Sequence, residues 1–166
     1  MKRLQQLVLL AAMALLLASC GFKLQSRAEL PPEMDKTRLE VVMPYSQFAR
    51  RLETLLEQNG VQVVTESMDM TGAAILEVPQ NETLKVIQSI GDNARVREFL
   101  IQHKVQFRLL NSNGDELIPL QTFEQSRVYS FNEQNILAAE REDEFLRNDL
   151  ADSLARMVVR RLGTYQ

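Results

Sequence analysis

The sequence predicts an α+β two-layer sandwich: two amphipathic helices on one face of a four- to five-stranded mixed, mostly antiparallel sheet. Three observations predict it. Apolar residues recur every three or four positions near 46–58 and again over 138–162. Between these stretches, three long runs alternate apolar and polar residues with a period of two. Ahead of them come a short β-like run, a helix and a second β-like run, in that order. The chain has 166 residues, 45% of them hydrophobic and 25% charged, the balance of one globular domain. One Cys and one His exclude disulfide frameworks and zinc sites built from several such ligands.

The N-terminus is basic, Met1-Lys2-Arg3, followed by an unbroken apolar run from Leu7 to Ala18. Twelve residues make about 18 Å of helix, short of the ~30 Å hydrocarbon core, so the run predicts a cleaved leader and not a membrane span. Leu17-Ala18-Ser19-Cys20 resembles the bacterial lipobox, an aliphatic residue and two small ones before a Cys. In that chemistry the Cys sulfur takes a diacylglyceryl group, a peptidase cuts before the Cys, and the freed amine is acylated. Residues 1–19 are therefore expected to be a signal peptide and Cys20 the lipidation site, with several acyl chains giving a durable tether. Gly21 follows, where an Asp would signal inner-membrane retention in enterobacterial-type lipoproteins, so the outer membrane is expected. Loss of Lys2 and Arg3 with the leader leaves 17 basic against 22 acidic residues. Such a balance gives no basic footprint for nucleic acid.

Residues 20–37 are polar with Pro31-Pro32 and predict an extended tether; 38–166 are expected to form the domain. Arg38 to Met43 is β-like and stopped by Pro44. Ser46 can cap a helix with Phe48, Leu52, Leu55 and Leu56 on one face, closed by Asn59-Gly60. Val61 to Val64 begins a second strand, completing a β-α-β unit.

From Ala73 the period is two. Ala74, Leu76 and Val78, then Leu84, Val86 and Ile90, share one parity, interrupted at Pro79 and Gln80 by a bend or edge position. Gly91-Asp92-Asn93-Ala94 predicts a turn. On the return, Phe99, Ile101, His103, Val105, Phe107 and Leu109 alternate with polar residues including Gln102, Lys104, Gln106 and Arg108; Leu100 alone breaks the polar side. Asn113-Gly114 predicts a second hairpin turn, and Phe123, Tyr129 and Phe131 mark a third strand. A final helix of nearly 40 Å is expected from about Ala138 to Leu162, with Phe145, Leu146, Leu150, Leu154, Met157, Val158 and Leu162 as its stripe.

No nucleophile and base are assembled. His103 falls between Ile101 and Val105 on the apolar face, the place of a hydrogen-bonded core histidine. Glu140, Glu142, Asp143 and Glu144 meet the positive end of the last helix and lack the glycine and alternating ligands of a calcium loop. Asn81-Glu82-Thr83 matches a glycosylation sequon by coincidence. Lys85, Arg95 and Arg97 gather around the first hairpin, and Arg95 and Arg97 share a parity near its tip. They are the candidate contact for phosphate-bearing lipid headgroups, which guanidinium binds bidentately.

Taken in order, Cys20-Gly21-Phe22-Lys23-Leu24, Leu55-Leu56-Glu57-Gln58-Asn59-Gly60-Val61, Arg127-Val128-Tyr129-Ser130-Phe131 and Ile136-Leu137-Ala138-Ala139 resemble the LPS-assembly lipoprotein family LptE. The resemblance spans essentially the whole chain after the leader. It implies a non-catalytic role: members sit as a plug in the lumen of LptD, a large outer-membrane β-barrel, in a one-to-one complex. They assist its folding, and the pair delivers lipopolysaccharide to the outer leaflet. It implies lipopolysaccharide as a ligand, with Lys85, Arg95 and Arg97 the expected contacts here, and no cofactor or metal beyond the N-acyl and S-diacylglyceryl lipid on Cys20. Two departures are the end of the chain at Gln166, without the polar tail some members carry, and the acidic start of the last helix. The alternative reading is an auxiliary binding lipoprotein of another envelope lipid-transport system.

Overall fold

The computed structural model describes residues 29–64 and 71–165; the leader, Cys20 and the rest of the expected tether up to position 28 lie outside them. Folding begins earlier than the expected boundary at Arg38. Pro31-Pro32 opens a single 3₁₀ turn, Pro32–Met34, whose Met34 side chain is fully buried. Thr37, also buried, donates its hydroxyl to the Met34 carbonyl at 2.7 Å. Leu30 packs against the same core. The prolines thus fix φ for a turn that inserts Met34, and residues 30–37 belong to the domain.

Strand β1 (Lys36–Val41) is followed by helix α1 (Gln47–Gln58), strand β2 (Gln62–Val64), long strands β3 (Ala74–Ile90), β4 (Val96–Leu110) and β5 (Glu116–Ser130), and helix α2 (Ile136–Leu162). The sheet order is β2-β1-β3-β4-β5. β1 runs parallel to both β2 and β3, while β3, β4 and β5 form an antiparallel meander. The fold is the expected α+β sandwich, with five strands.

Local signals act as read. Ser46 caps α1 by accepting from the Ala49 N–H at 3.2 Å, and Gly60 ends it at φ +94°. Gly114 turns the β4–β5 hairpin at φ +89°, and the β3–β4 tip closes through Ala94 at φ +58° with the Ala94 N–H on the Gly91 carbonyl. Phe48, Leu52 and Leu56 of α1 and Leu154, Val158 and Leu162 of α2 meet Leu76, Val78, Val105, Phe107 and Leu109 in one core. A smaller cluster, Ile101, Tyr129, Ala139 and Leu150, lies toward the N-terminal end of α2.

Two expectations fail, both for geometric reasons. Phe145 was expected in the α2 stripe but is 68% exposed. It stands five positions from buried Leu150, and at ~100° per residue that places it about 140° around the helix, toward solvent. The shared parity of Leu84, Val86 and Ile90 with Leu76 and Val78 also does not mean a shared face. Glu77 pairs with Arg108 and Gln80 with Gln106, three residues on β3 against two on β4. This bulge at Val78-Pro79 inserts one residue, and the side chains from Asn81 to Ile87 change face, up to a further register shift between Ile87 and Ser89. Asn81, Thr83 and Lys85 turn inward opposite Val105, His103 and Ile101, while Leu84 and Val86 turn out and are each 47% exposed. β5 repeats the device at Pro119: Leu109 pairs with Ile118 but Phe107 with Gln121. Proline suits both points, where ladder bonding is already broken.

Because Met34 is fully buried, Met34→Ala should cost about 2–5 kcal/mol in urea unfolding. A free tether at that position would give no change.

Candidate functional site

The inward turn of β3 dictates where the candidate residues go. Lys85 lies on the helix side, its Nζ 2.7 Å from Asp143 Oδ2 of α2 and 4.3 Å from the Phe99 ring centre. Tyr129 donates its hydroxyl to the same Asp143 oxygen at 3.0 Å, and Arg147 Nε bonds Oδ1 at 2.5 Å. Asp143 is thus the hub that ties β3 and β5 to α2. Burial opposes its charge, but the bonds from Arg147, Lys85 and Tyr129 and the Arg147 charge prevail, holding its pKa at about 2. Burial also opposes the Lys85 charge, and the bonds to Asp143 and Tyr129 overcome it, raising its pKa. These groups line a hollow of about 360 Å³ that includes Phe131, Glu140 and Glu144. Asp143 is therefore engaged by cations of the protein itself, and among the described residues no acidic group is arranged to hold a metal.

Arg95 and Arg97 stand apart from Lys85, at the hairpin tip, lining a hollow of about 480 Å³ with Gly91, Asn93, Phe131 and Glu133. Arg95 Nη1 pairs with Glu133 Oε2 at 2.9 Å, both side chains well exposed, a contact of little energetic weight. Arg97 is exposed and forms no ion pair among the described residues. Its stem lies over Gly91, where an added Cβ would come within 3.0 Å of Arg97 Cδ. The structure therefore joins Arg95 and Arg97 in one hollow and puts Lys85 in the next, Phe131 forming part of both walls. Sequence reasoning missed Asp143 and Tyr129 as the partners of Lys85, and Arg147 as the second cation on Asp143. The signal available was only an aromatic and an acid on elements expected to pack together.

His103 is 3% exposed and sits edge-on to Phe48. Asn81 donates from Nδ2 to Ser46 Oγ at 2.9 Å and to the Val42 carbonyl at 3.3 Å, so its Oδ1 is left to accept from His103 Nε2 at 2.9 Å. Nδ1 is then unprotonated, buried and without a partner. The bulge that turned Asn81 inward builds this polar link between the α1 cap, β3 and β4. It also puts the sequon asparagine at 6% exposure. Burial first, and the Arg147 charge second, lower the His103 pKa to about 4.

A further hollow, of about 1070 Å³, runs beside β1 and is walled by Leu39, Val41, Tyr45 and Val64. Among the described residues no helix is long and apolar enough to cross a membrane.

A neutral His103 in the folded state against an ordinary one in the unfolded state makes stability fall as pH drops from 6.5 to about 4, because the unfolded chain binds the extra proton there. The loss should reach about 3 kcal/mol at ~1.4 kcal/mol per unit and level off below pH 4. Asp143 acts in a separate, lower window, from its ordinary 3.8 down to about 2. Urea unfolding at stepped pH checks this, and His103→Leu should flatten only the upper window.

Comparison with known proteins fits this geometry. Residues 36–162 match the family model described as LptE, lipopolysaccharide-assembly. The chain is 30% identical over 157 residues to the LPS-assembly lipoprotein LptE of Yersinia pestis (strain Pestoides F), covering 95% of this chain and 74% of the relative. The same figures hold for the Yersinia pseudotuberculosis protein of that name (serotype O:1b). A solution structure of lipoprotein B from Nitrosomonas europaea superposes with a TM-score of 0.65 at 25% identity, covering 87% of this chain and 92% of that one. The crystal structure of rare lipoprotein B from Shewanella oneidensis shares the fold, with a TM-score of 0.66 at 18% identity, 78% of this chain and 94% of that one being covered. With strands, helices and matched span agreeing from Lys36 to Leu162, the chain belongs to the LptE lipopolysaccharide-assembly family.

Proposed function

We propose that this protein is an outer-membrane lipoprotein that plugs and helps assemble the LptD β-barrel and, with it, inserts lipopolysaccharide into the outer leaflet. The observation that carries the reading is the match to the LptE family across the whole folded domain, 36–162. The role is one of binding and assembly, without catalysis. A triacyl group on Cys20 holds the domain at the membrane while the barrel lumen encloses it.

The surface suits that setting. A barrel lumen is polar and rewards hydrogen-bonding side chains over bare apolar area. The helix-free face of the sheet carries Gln102, Lys104, Gln106 and Arg108. These are tied across strands by Gln102–Glu124 at 2.6 Å, Gln106–Thr122 at 3.2 Å and Arg108–Glu77 at 2.6 Å. Lipopolysaccharide phosphate is taken at the hairpin tip. Arg97 supplies an exposed guanidinium, and Arg95 exchanges its exposed Glu133 partner for the ligand. Lys85 contributes from the adjoining hollow only by giving up Asp143, so it is the weakest of the three contacts.

Affinity purification from gently solubilised outer membranes should recover the barrel at one-to-one stoichiometry. Recovery of the lipoprotein alone, or with an inner-membrane transporter, would contradict the plug. Arg95→Asp with Arg97→Asp should weaken lipopolysaccharide binding about tenfold or more at low salt, where screening is least, with the melting curve unchanged. Cys20→Ala should abolish acylation, read by intact mass, and release the protein from the membrane fraction.

A further inference from the structure

Between Glu98 and Arg108, Leu100 is the single apolar residue on the polar side of β4, and the face change in β3 supplies it with company. Beyond the bulge, Val86 pairs directly with Leu100, and Leu100 with Val128 of β5. The three side chains form one apolar row across three strands on the face away from both helices. Leu84 lies two residues along β3 on the same face. Val86 is 47% and Val128 50% exposed.

The surroundings of this row select its occupant. Glu98 is next toward the hairpin tip, where its Oε2 accepts from Ser89 at 2.6 Å. On the other side, Glu124 and Glu82 stand opposite Lys104 in one cross-strand row. Glu82, Glu98 and Glu124 form no ion pair among the described residues, and Lys104 is the single cation facing them. An anionic lipid whose acyl chains lay on Leu100 would carry its phosphates against unneutralised carboxylates, which Coulomb repulsion opposes. A second copy of the chain would bring the same carboxylates. Moreover, this row together with Leu84 offers on the order of 150 Å² of apolar area, against ~800 Å² per partner in a stable dimer. A small apolar centre in an acidic polar frame is instead the anatomy of a buried anchor within a larger, mostly polar protein interface.

We propose that the face centred on Leu100, with Val86 and Val128, docks a protein segment that presents apolar side chains flanked by lysine or arginine. It rests on the plug reading, the segment belonging to the barrel's inner wall or a loop folded into its lumen. Leu100 and its neighbours then anchor the contact, while Glu98 and Glu124 choose the partner's charge and orient it.

The test uses the full-length lipidated protein expressed with the barrel. Leu100→Asp with Val128→Asp, and separately Glu98→Lys with Glu124→Lys, should each lower co-purified barrel about tenfold. Their circular dichroism melts and lipopolysaccharide binding should match wild type. A photo-crosslinking residue at Val128 alone, which sits half exposed and tolerates replacement, should yield an adduct at the summed mass of lipoprotein and barrel. Undiminished barrel recovery in both variants overturns this surface while leaving the plug intact. So do crosslinks at Val128 that go only to lipopolysaccharide or to a second copy. Absence of barrel from the wild-type preparation overturns both readings together.

Discussion

A strand has a period of two and no tolerance for one extra residue. When β3 takes an additional residue at Val78-Pro79, the stretch from Asn81 to Ile87 is reassigned from one face to the other. Before the bulge, β3 lies between β1 and β4 and its inward residues Ala74, Leu76 and Val78 are buried aliphatics. After it, β1 has ended, and the inward residues are Asn81, Thr83 and Lys85. Leu84 and Val86 are displaced outward, where an unbulged strand would have hidden them. Both the polar ties to the helices and the apolar row around Leu100 descend from this one insertion.

Two of those inward polar groups, Asn81 and Lys85, are held by named partners. Asn81 uses its amide nitrogen on Ser46 and Val42 and its oxygen on His103. A neutral buried bond of this kind contributes about 1 kcal/mol net, while leaving the group unpaired costs more. Lys85 is satisfied by Asp143 and by two aromatic rings, 4.3 and 5.3 Å from its nitrogen. His103 Nδ1 has none, and its burial without a partner is what keeps the ring neutral well into the acid range. Gln125 Oε1, on the β5 residue paired with His103, is likewise buried without a partner, so the fold tolerates two unmatched acceptors on one cross-strand pair.

The features legible in the sequence are those whose cause is local. Ser46, Asn59-Gly60 and Asn113-Gly114 act through their own backbone, and all three turned the chain where expected. The alternation of β4 located its inward face correctly because its apolar residues stay in step from Phe99 to Leu109, and it put His103 among them. The bulge was visible as an interruption at Pro79, but its consequence was not. Whether a proline bends, ends or shifts a strand depends on the register of its neighbour. Lys85 illustrates the cost: it was grouped with Arg95 and Arg97 by nearness in sequence, yet its partner Asp143 lies on an element 58 positions later. The burial of Met34 escaped notice because a lone methionine beside two prolines has no period to reveal it. The tip arginines were brought together as parity suggested, around a hollow whose other wall, Phe131 to Gln134, sequence alone could not supply.

Helix α2 rests on two unequal supports. Its C-terminal half, from Ala151 to Leu162, is set into the large cluster shared with α1, whereas its N-terminal half leans on Ile101, Tyr129 and the Asp143 bonds, with Ile136, Leu137 and Phe145 in the open. Protection of backbone amides against solvent exchange is therefore graded along one continuous helix. The first turns and the hairpin end beneath them should exchange their amides ahead of the far half, a firm root under a more compliant crown.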